Sequence, residues 1–178
     1  MKTLQTVGKS LLVASLIFLA SCNKDDDAPA IYNPVAPANA SYVTAKVDGA
    51  DFSTLVFGTS TASCSRSGSG SNNQITILGA DLSANSITIA LFGVTATGTY
   101  TVNNTTDSVL NYSPGSGEIA YTTGICQAGT GTIIVTALDE THIEGTFSFT
   151  GKDGENCGDN GGIKTVTQGV FKGVFPNN

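Results

Sequence analysis

The chain has no tryptophan, a single histidine (His142) and only 7% aromatic residues. One histidine, with no Gly-x-Ser-x-Gly elbow anywhere in the chain, gives no serine-type catalytic set. Ser67-Gly68-Ser69-Gly70-Ser71 lacks the Lys-Ser/Thr ending that a phosphate loop needs. Basic residues are scarce and scattered, at Lys46, Arg66, Lys152, Lys164 and Lys172 among others, so no basic surface is concentrated enough for nucleic acid. From Tyr42 onward helical periodicity is missing as well. The N-terminal apolar run, Leu11 to Ala20, falls short of the roughly 20 apolar residues a spanning helix needs.

What that run does fit is a secretory signal. Lys2 and Lys9 precede it, no acidic residue does, and small residues follow it. Leu19-Ala20-Ser21-Cys22 then resembles the lipobox of bacterial lipoproteins. The resemblance implies removal of residues 1–21, a diacylglycerol thioether on Cys22 and acylation of the new N-terminus. Each buried lipid CH₂ contributes about 0.8 kcal/mol, so two or three chains hold a protein stably in a bilayer. Asn23-Lys24-Asp25-Asp26-Asp27 is similar to the export signal of Bacteroidota surface lipoproteins, which implies an outer-membrane protein facing the cell exterior; the periplasmic face is the alternative. Read without the resemblance, the same residues are a solvated acidic spacer.

Loss of Lys2 and Lys9 with the signal turns the formal net charge of −6 into −8. Residues 22–41, with Pro29, Pro34 and Pro37, form a semi-rigid tether. Residues 42–178 are long enough for one domain with its own core. There, short β-branched runs alternate with Gly, Asn, Asp and Ser. Val43 to Val47 leads to a turn at Asp48-Gly49, and Phe52 to Phe57 makes the next strand. Strands are expected around Ile75, Ile87 to Leu91, Gly98 to Val102, Glu118 to Thr123, Thr130 to Leu138, Ile143 to Thr150 and Ile163 to Phe175. Thr59 to Asn73 and Asn103 to Gly117 read as polar loops. The expected fold is all-β: an antiparallel meander of about 8–10 short strands, closed as a lipocalin-like barrel or as a sandwich, with the first and last strands free to pair.

The opening Ala45-Lys46-Val47-Asp48-Gly49-Ala50-Asp51-Phe52 and the later Ile143-Glu144-Gly145-Thr146-Phe147-Ser148-Phe149 and Thr167-Gln168-Gly169-Val170-Phe171 resemble a family of Bacteroidota lipoprotein domains of unknown function. That likeness runs over most of Tyr42 to Phe175. It implies a location and a β-fold, and no catalytic residue.

With Cys22 assigned to lipid, Cys64, Cys126 and Cys157 remain, and outside the cytoplasm thiols tend to pair. In a strict meander all three fall at one end of the fold. Cys126 starts one strand and Cys157 ends its neighbour, which favours a Cys126–Cys157 bridge and leaves Cys64 free or as an alternative partner. His142, between Glu140 and Glu144, lies on the polar face of its strand. Asp153, Glu155, Asp159 and Asn160 do not follow the spacing of an EF-hand, so a flexible loop pinned by Cys157 is the expectation, with no metal or cofactor. Asp107-Ser108-Val109 resembles a Bacteroidota O-glycosylation motif, which implies a sugar on Ser108. With no catalytic set in view, the expected role is non-enzymatic: binding a glycan, peptide or small extracellular ligand at the cysteine-bearing loops, or serving as a structural, adhesion or accessory subunit of an outer-membrane complex.

Overall fold

The computed structural model of the chain describes residues 36–117 and 119–176. The signal segment, Cys22 and most of the tether lie outside the described residues. Among the described residues the domain is all-β and contains, beyond its strands, one 3₁₀ turn at Gly70–Asn72.

β1 (Tyr42–Val47) buries every second residue, and β2 (Ala50–Ser53) folds back beside it. The Asp48-Gly49 turn between them has φ of 49° and 85°, the positive pair that a type I′ hairpin requires. After Thr54, β3 (Leu55–Val56) and β4 (Thr59–Ser60) make a small two-stranded sheet of their own. Then come β5 (Ser63–Ser67), β6 (Gln74–Ala80), β7 (Ser86–Phe92), β8 (Gly98–Asn103) and β9 (Val109–Ser113). The chain finishes with β10 (Tyr121–Thr122), β11 (Thr130–Leu138), β12 (His142–Asp153) and β13 (Ile163–Val174).

All strands but β3 and β4 join one antiparallel sheet, which curls over into a half-barrel. One wall runs β2-β1-β13-β12-β11-β8 and the other β5-β6-β7-β9-β10. β12 belongs to both: it pairs with β11 from Ile143 to Thr150, and its last residues, Lys152 and Asp153, pair with β10. The first and last strands pair, as expected, with Tyr42 opposite Lys172. The order departs from a strict meander at β8, which leaves β7, crosses to β11, and returns to β9 beside β7. Between the walls, Ile75, Ile77, Ile87, Ile89 and Leu110 share one buried cluster with Val43, Ile133, Ile143 and Phe171. This space is filled by side chains, which leaves the ends and outer faces of the sheet as the places open to a ligand.

Two segments that read as loops are strands. Asn103 to Gly117 contains β9, whose Leu110 and Tyr112 alternate inward over only five residues. Thr59 to Asn73 contains β5, an edge strand of sequence SCSRS with no apolar stripe. Phe52 to Phe57 is broken at Thr54, whose buried hydroxyl accepts the Val43 amide at 2.9 Å and stops the strand from continuing.

Candidate functional site

β1 enters at one end of the half-barrel, where the Val174 amide donates to Ser41 Oγ at 2.9 Å. It leaves at the opposite end with Asp48. At that far end the two walls part enough to leave a cleft of about 300 Å³. Its first rim comes from the β1–β2 hairpin and the start of β13, through Asp48, Asp51 and Lys164. The second comes from the β6–β7 turn, through Asp81 and Asn85, with Tyr112 of β9 as the floor.

Each rim is held by its own turn chemistry. Asp81 is an Asx turn: its carboxylate accepts the Ser83 and Asn85 amides at 2.8 and 2.9 Å and the Asn85 side-chain amide at 2.8 Å. Asn85 in turn accepts the Gly115 amide at 2.9 Å and fixes the next loop. Across the cleft Lys164 Nζ meets Asp48 at 2.8 Å, and the Thr165 amide donates to the same carboxylate at 2.9 Å. Lys46 pairs with Asp51 at 2.6 Å. The result is a rim of paired carboxylates and ammonium groups around an aromatic floor.

The hydrogen bond from Lys164, then that from Thr165, lowers the Asp48 carboxyl below its ordinary value, and Asp48 raises Lys164 in return. Burial raises the Tyr112 phenol, opposed by Lys164 and assisted by Asp81 and Asp48. For Asp48 the linked stability is present above its unfolded value and disappears as pH falls through the lowered one. For Lys164 it is present below its unfolded value and disappears as pH rises through the raised one. Hydrogen-exchange protection of the Asp48-Gly49 turn is therefore expected to hold across neutral pH and fall at both extremes. Because both groups are largely in solvent, the effect should stay below about 1 kcal/mol.

The disulfide sits at the same end. Cys126 and Cys157 are bonded, with Cα atoms 5.3 Å apart. It pins the glycine-rich loop after β12, where Asp153 closes the turn by accepting the Glu155 amide at 2.9 Å. Glu155, Asp159 and Asn160 are not brought into the cleft, and no group of three His, Cys, Asp or Glu among the described residues is placed to hold a metal ion.

Cys64 is a correction. It is not in a loop beside the other cysteines but within β5, opposite Ile77, with its sulfur against Gly173 near the C-terminal end of β13. The strict-meander count misplaces it because β5 is a strand and β8 changes walls. Burial pushes its thiol up to about 12, which cuts the thiolate present at pH 8 about a thousandfold. Cys64 in the folded protein should resist iodoacetamide until denaturant is added, as read by intact mass.

His142 lies at the tip of the β11–β12 hairpin, at the entry end, with Nδ1 3.0 Å from the Thr141 hydroxyl and 3.1 Å from Asp139. Asp139 is held down to about 2 by the Thr141 hydroxyl and by the Thr141 and His142 amides. This is a capped turn outside the cleft. Ser108 is also placed differently from the expectation. Its hydroxyl is buried and accepts the Phe92 amide at 3.0 Å, so the seryl oxygen is turned inward rather than presented on a loop.

Residues 39–175 match a family described as a domain of unknown function, DUF6252. The chain belongs to that family. No curated protein and no solved structure matches it. The DUF6252 domain thus takes in every strand from β1 to β13 and the whole far-end cleft. Asp48, Asp81, Asn85, Tyr112 and Lys164 were not singled out as a site by the sequence. They come from four separate segments, and only the closing of the two walls brings them together.

Proposed function

We propose that this DUF6252 protein is a lipid-anchored, non-enzymatic lipoprotein of the outer membrane, facing outward, whose far-end cleft binds a hydroxyl-rich ligand of the glycan type. The observation that carries the binding reading is the convergence of Asp48, Asp51, Asn85 and Lys164 over Tyr112. Carboxylates and amide oxygens accept from sugar hydroxyls, an ammonium and an amide donate to them, and an aromatic floor meets the apolar face of a ring. The volume lies at the small end of ligand sites, which suits one sugar unit or one side chain of a peptide. Leu19-Ala20-Ser21-Cys22, with the Lys-Asp-Asp run behind it, supports the anchor and the bacterial-surface location. Within the domain, the chain enters at Ser41, at the end opposite the cleft.

The anchor is tested by Cys22→Ser. The variant should lose palmitate labelling and move from the membrane to the soluble fraction, and unchanged fractionation would end the lipoprotein reading. The cleft is tested by titrating isotope-labelled protein with panels of soluble oligosaccharides and peptides. Amide shifts should centre on residues 48–51, 81–85 and 164 and weaken about tenfold or more in Lys164→Ala. Shifts confined to other surfaces, or none with either panel, would remove the cleft as the site.

A second reading, a structural or accessory subunit, is favoured by a different observation. Several large apolar side chains stand in solvent on the described surface, with Phe57 96% exposed.

A further inference from the structure

Tyr112 brings more than its ring to the far-end cleft. The residue is only 8% exposed, yet its hydroxyl bonds to no donor or acceptor among the described residues. No fully buried side-chain nitrogen or oxygen among those residues lacks a partner, so this oxygen is not sealed in and opens to the cleft that Tyr112 lines. A tyrosine hydroxyl this deep in a protein ordinarily has a hydrogen-bond partner. Burial raises the phenol, so at neutral pH it keeps its proton and can donate. Lys164, Asp81 and Asp48 all lie near enough to act on it.

The acceptors around it are already engaged. Both Asp81 oxygens take part in the Asx turn, held by the Ser83 and Asn85 amides and by Asn85 Nδ2. Both Asp48 oxygens are held by Lys164 Nζ and the Thr165 amide, and Asn85 Oδ1 by the Gly115 amide. Donors are what remain: the Tyr112 O–H, the second N–H of the Asn85 amide, and the ammonium hydrogens that Lys164 does not give to Asp48. Their common complement is an acceptor. Asp48, Asp51 and Asp81 outnumber Lys46 and Lys164 here, on a chain of net charge −6, so a carboxylate is a poor choice of acceptor. A neutral carbonyl suits the site better. Val47, Ala50 and Phe52 add apolar lining to the same cleft, where a methyl group can sit.

We propose that the cleft recognises the acetamido group of an N-acetylated hexosamine, with the Tyr112 hydroxyl donating to its carbonyl oxygen. This rests on the glycan reading of the cleft and names the class of sugar. The acetyl methyl meets the apolar lining, and the ring hydroxyls stay at the rim, where Asp51 has an oxygen free of Lys46. A free amino sugar brings a further donor to a site already rich in donors, and a plain hydroxyl brings no methyl. A main-chain peptide amide offers the same carbonyl but continues as chain on both sides of it. The acetamido group ends in its methyl, which a cleft of about 300 Å³ can take whole.

The test titrates the isotope-labelled full chain with methyl glycosides in matched pairs: N-acetylglucosamine with glucose, N-acetylgalactosamine with galactose, N-acetylmannosamine with mannose. Glucosamine and glucuronate are added as the free amine and the anion. In at least one pair the acetamido sugar should shift the amides of residues 48–51, 81–85 and 164 with affinity about tenfold or more above its hydroxyl partner. Tyr112→Phe should remove most of that preference, while its unfolding midpoint stays near that of the parent because the hydroxyl has no protein partner to lose. Cleft shifts from plain sugars, glucosamine, glucuronate or peptides, without a preference for acetamido, would overturn this inference and leave the cleft as a binding site. A preference that survives unchanged in Tyr112→Phe would likewise overturn it. Absence of cleft shifts with every ligand would remove this inference and the cleft reading together.

Discussion

Cys126→Ala is expected to lower the stability of the domain by about 3–4 kcal/mol, measured by urea unfolding against the oxidised parent. The bridge closes a loop with a sequence separation of 31, and loop-closure entropy for that length gives this magnitude. The loop it closes contains β11 and β12, the strand that takes part in both walls, so the cross-link holds the corner where the sheet turns. The effect should therefore concentrate where the loop is joined. Hydrogen exchange should quicken first at Tyr121, Thr122 and the 151–162 segment and last in β6 and β7. Treatment with a reductant should reproduce the variant's midpoint. Equal stability of the reduced and oxidised forms would show that the corner is held by packing alone.

Phe171→Ala is expected to cost about 3–5 kcal/mol, because the side chain is fully buried and its removal leaves a cavity that backbone strands cannot close. Its ring packs 6.3 Å from that of Phe147 and lies directly over Gly145, where a Cβ would meet it at 2.8 Å. The bare glycine and the ring are thus two halves of one fit between β12 and β13. For a domain of this size the melting temperature should fall by about 10–20 °C in a calorimetric scan. A shift of only one or two degrees would mean that neighbouring residues refill the space.

Much of the fold was legible because the longer strands alternate cleanly. Ile75 and Ile77, Ile87 and Ile89, and Ile143, Phe147 and Phe149 all show period two, and Asp48-Gly49 announces its turn. β9 escaped because Asn103 to Gly117 is polar overall and only Leu110 and Tyr112 carry the alternation. β5 escaped because an edge strand with one inward residue, Cys64, carries almost no pattern. Barrel and sandwich share the same local signal, and the outcome rests on where β12 changes partners, which is a tertiary event. The disulfide was within reach since it depends on neighbouring strand ends, β11 and β12, that the hairpin between them places together. The cleft was not. Its residues lie in turns and strand ends separated by as much as the whole domain, and nothing local marks Asp81 or Lys164 as facing Tyr112. Phe57 is the opposite case, read as the end of a strand when its backbone belongs to a turn.

The way the chain enters the fold has a mechanical consequence. Ser41 and β1 start at one end, the cleft lies at the other, and β1 is hydrogen-bonded along its length to β13 on one side and β2 on the other. Tension applied between the N-terminal segment and something gripped at Asp48, Asp51 or Lys164 runs parallel to β1. A load between Ser41 and Lys164, which lies at the opposite end of the neighbouring strand β13, shears the β1–β13 ladder and does not peel it open bond by bond.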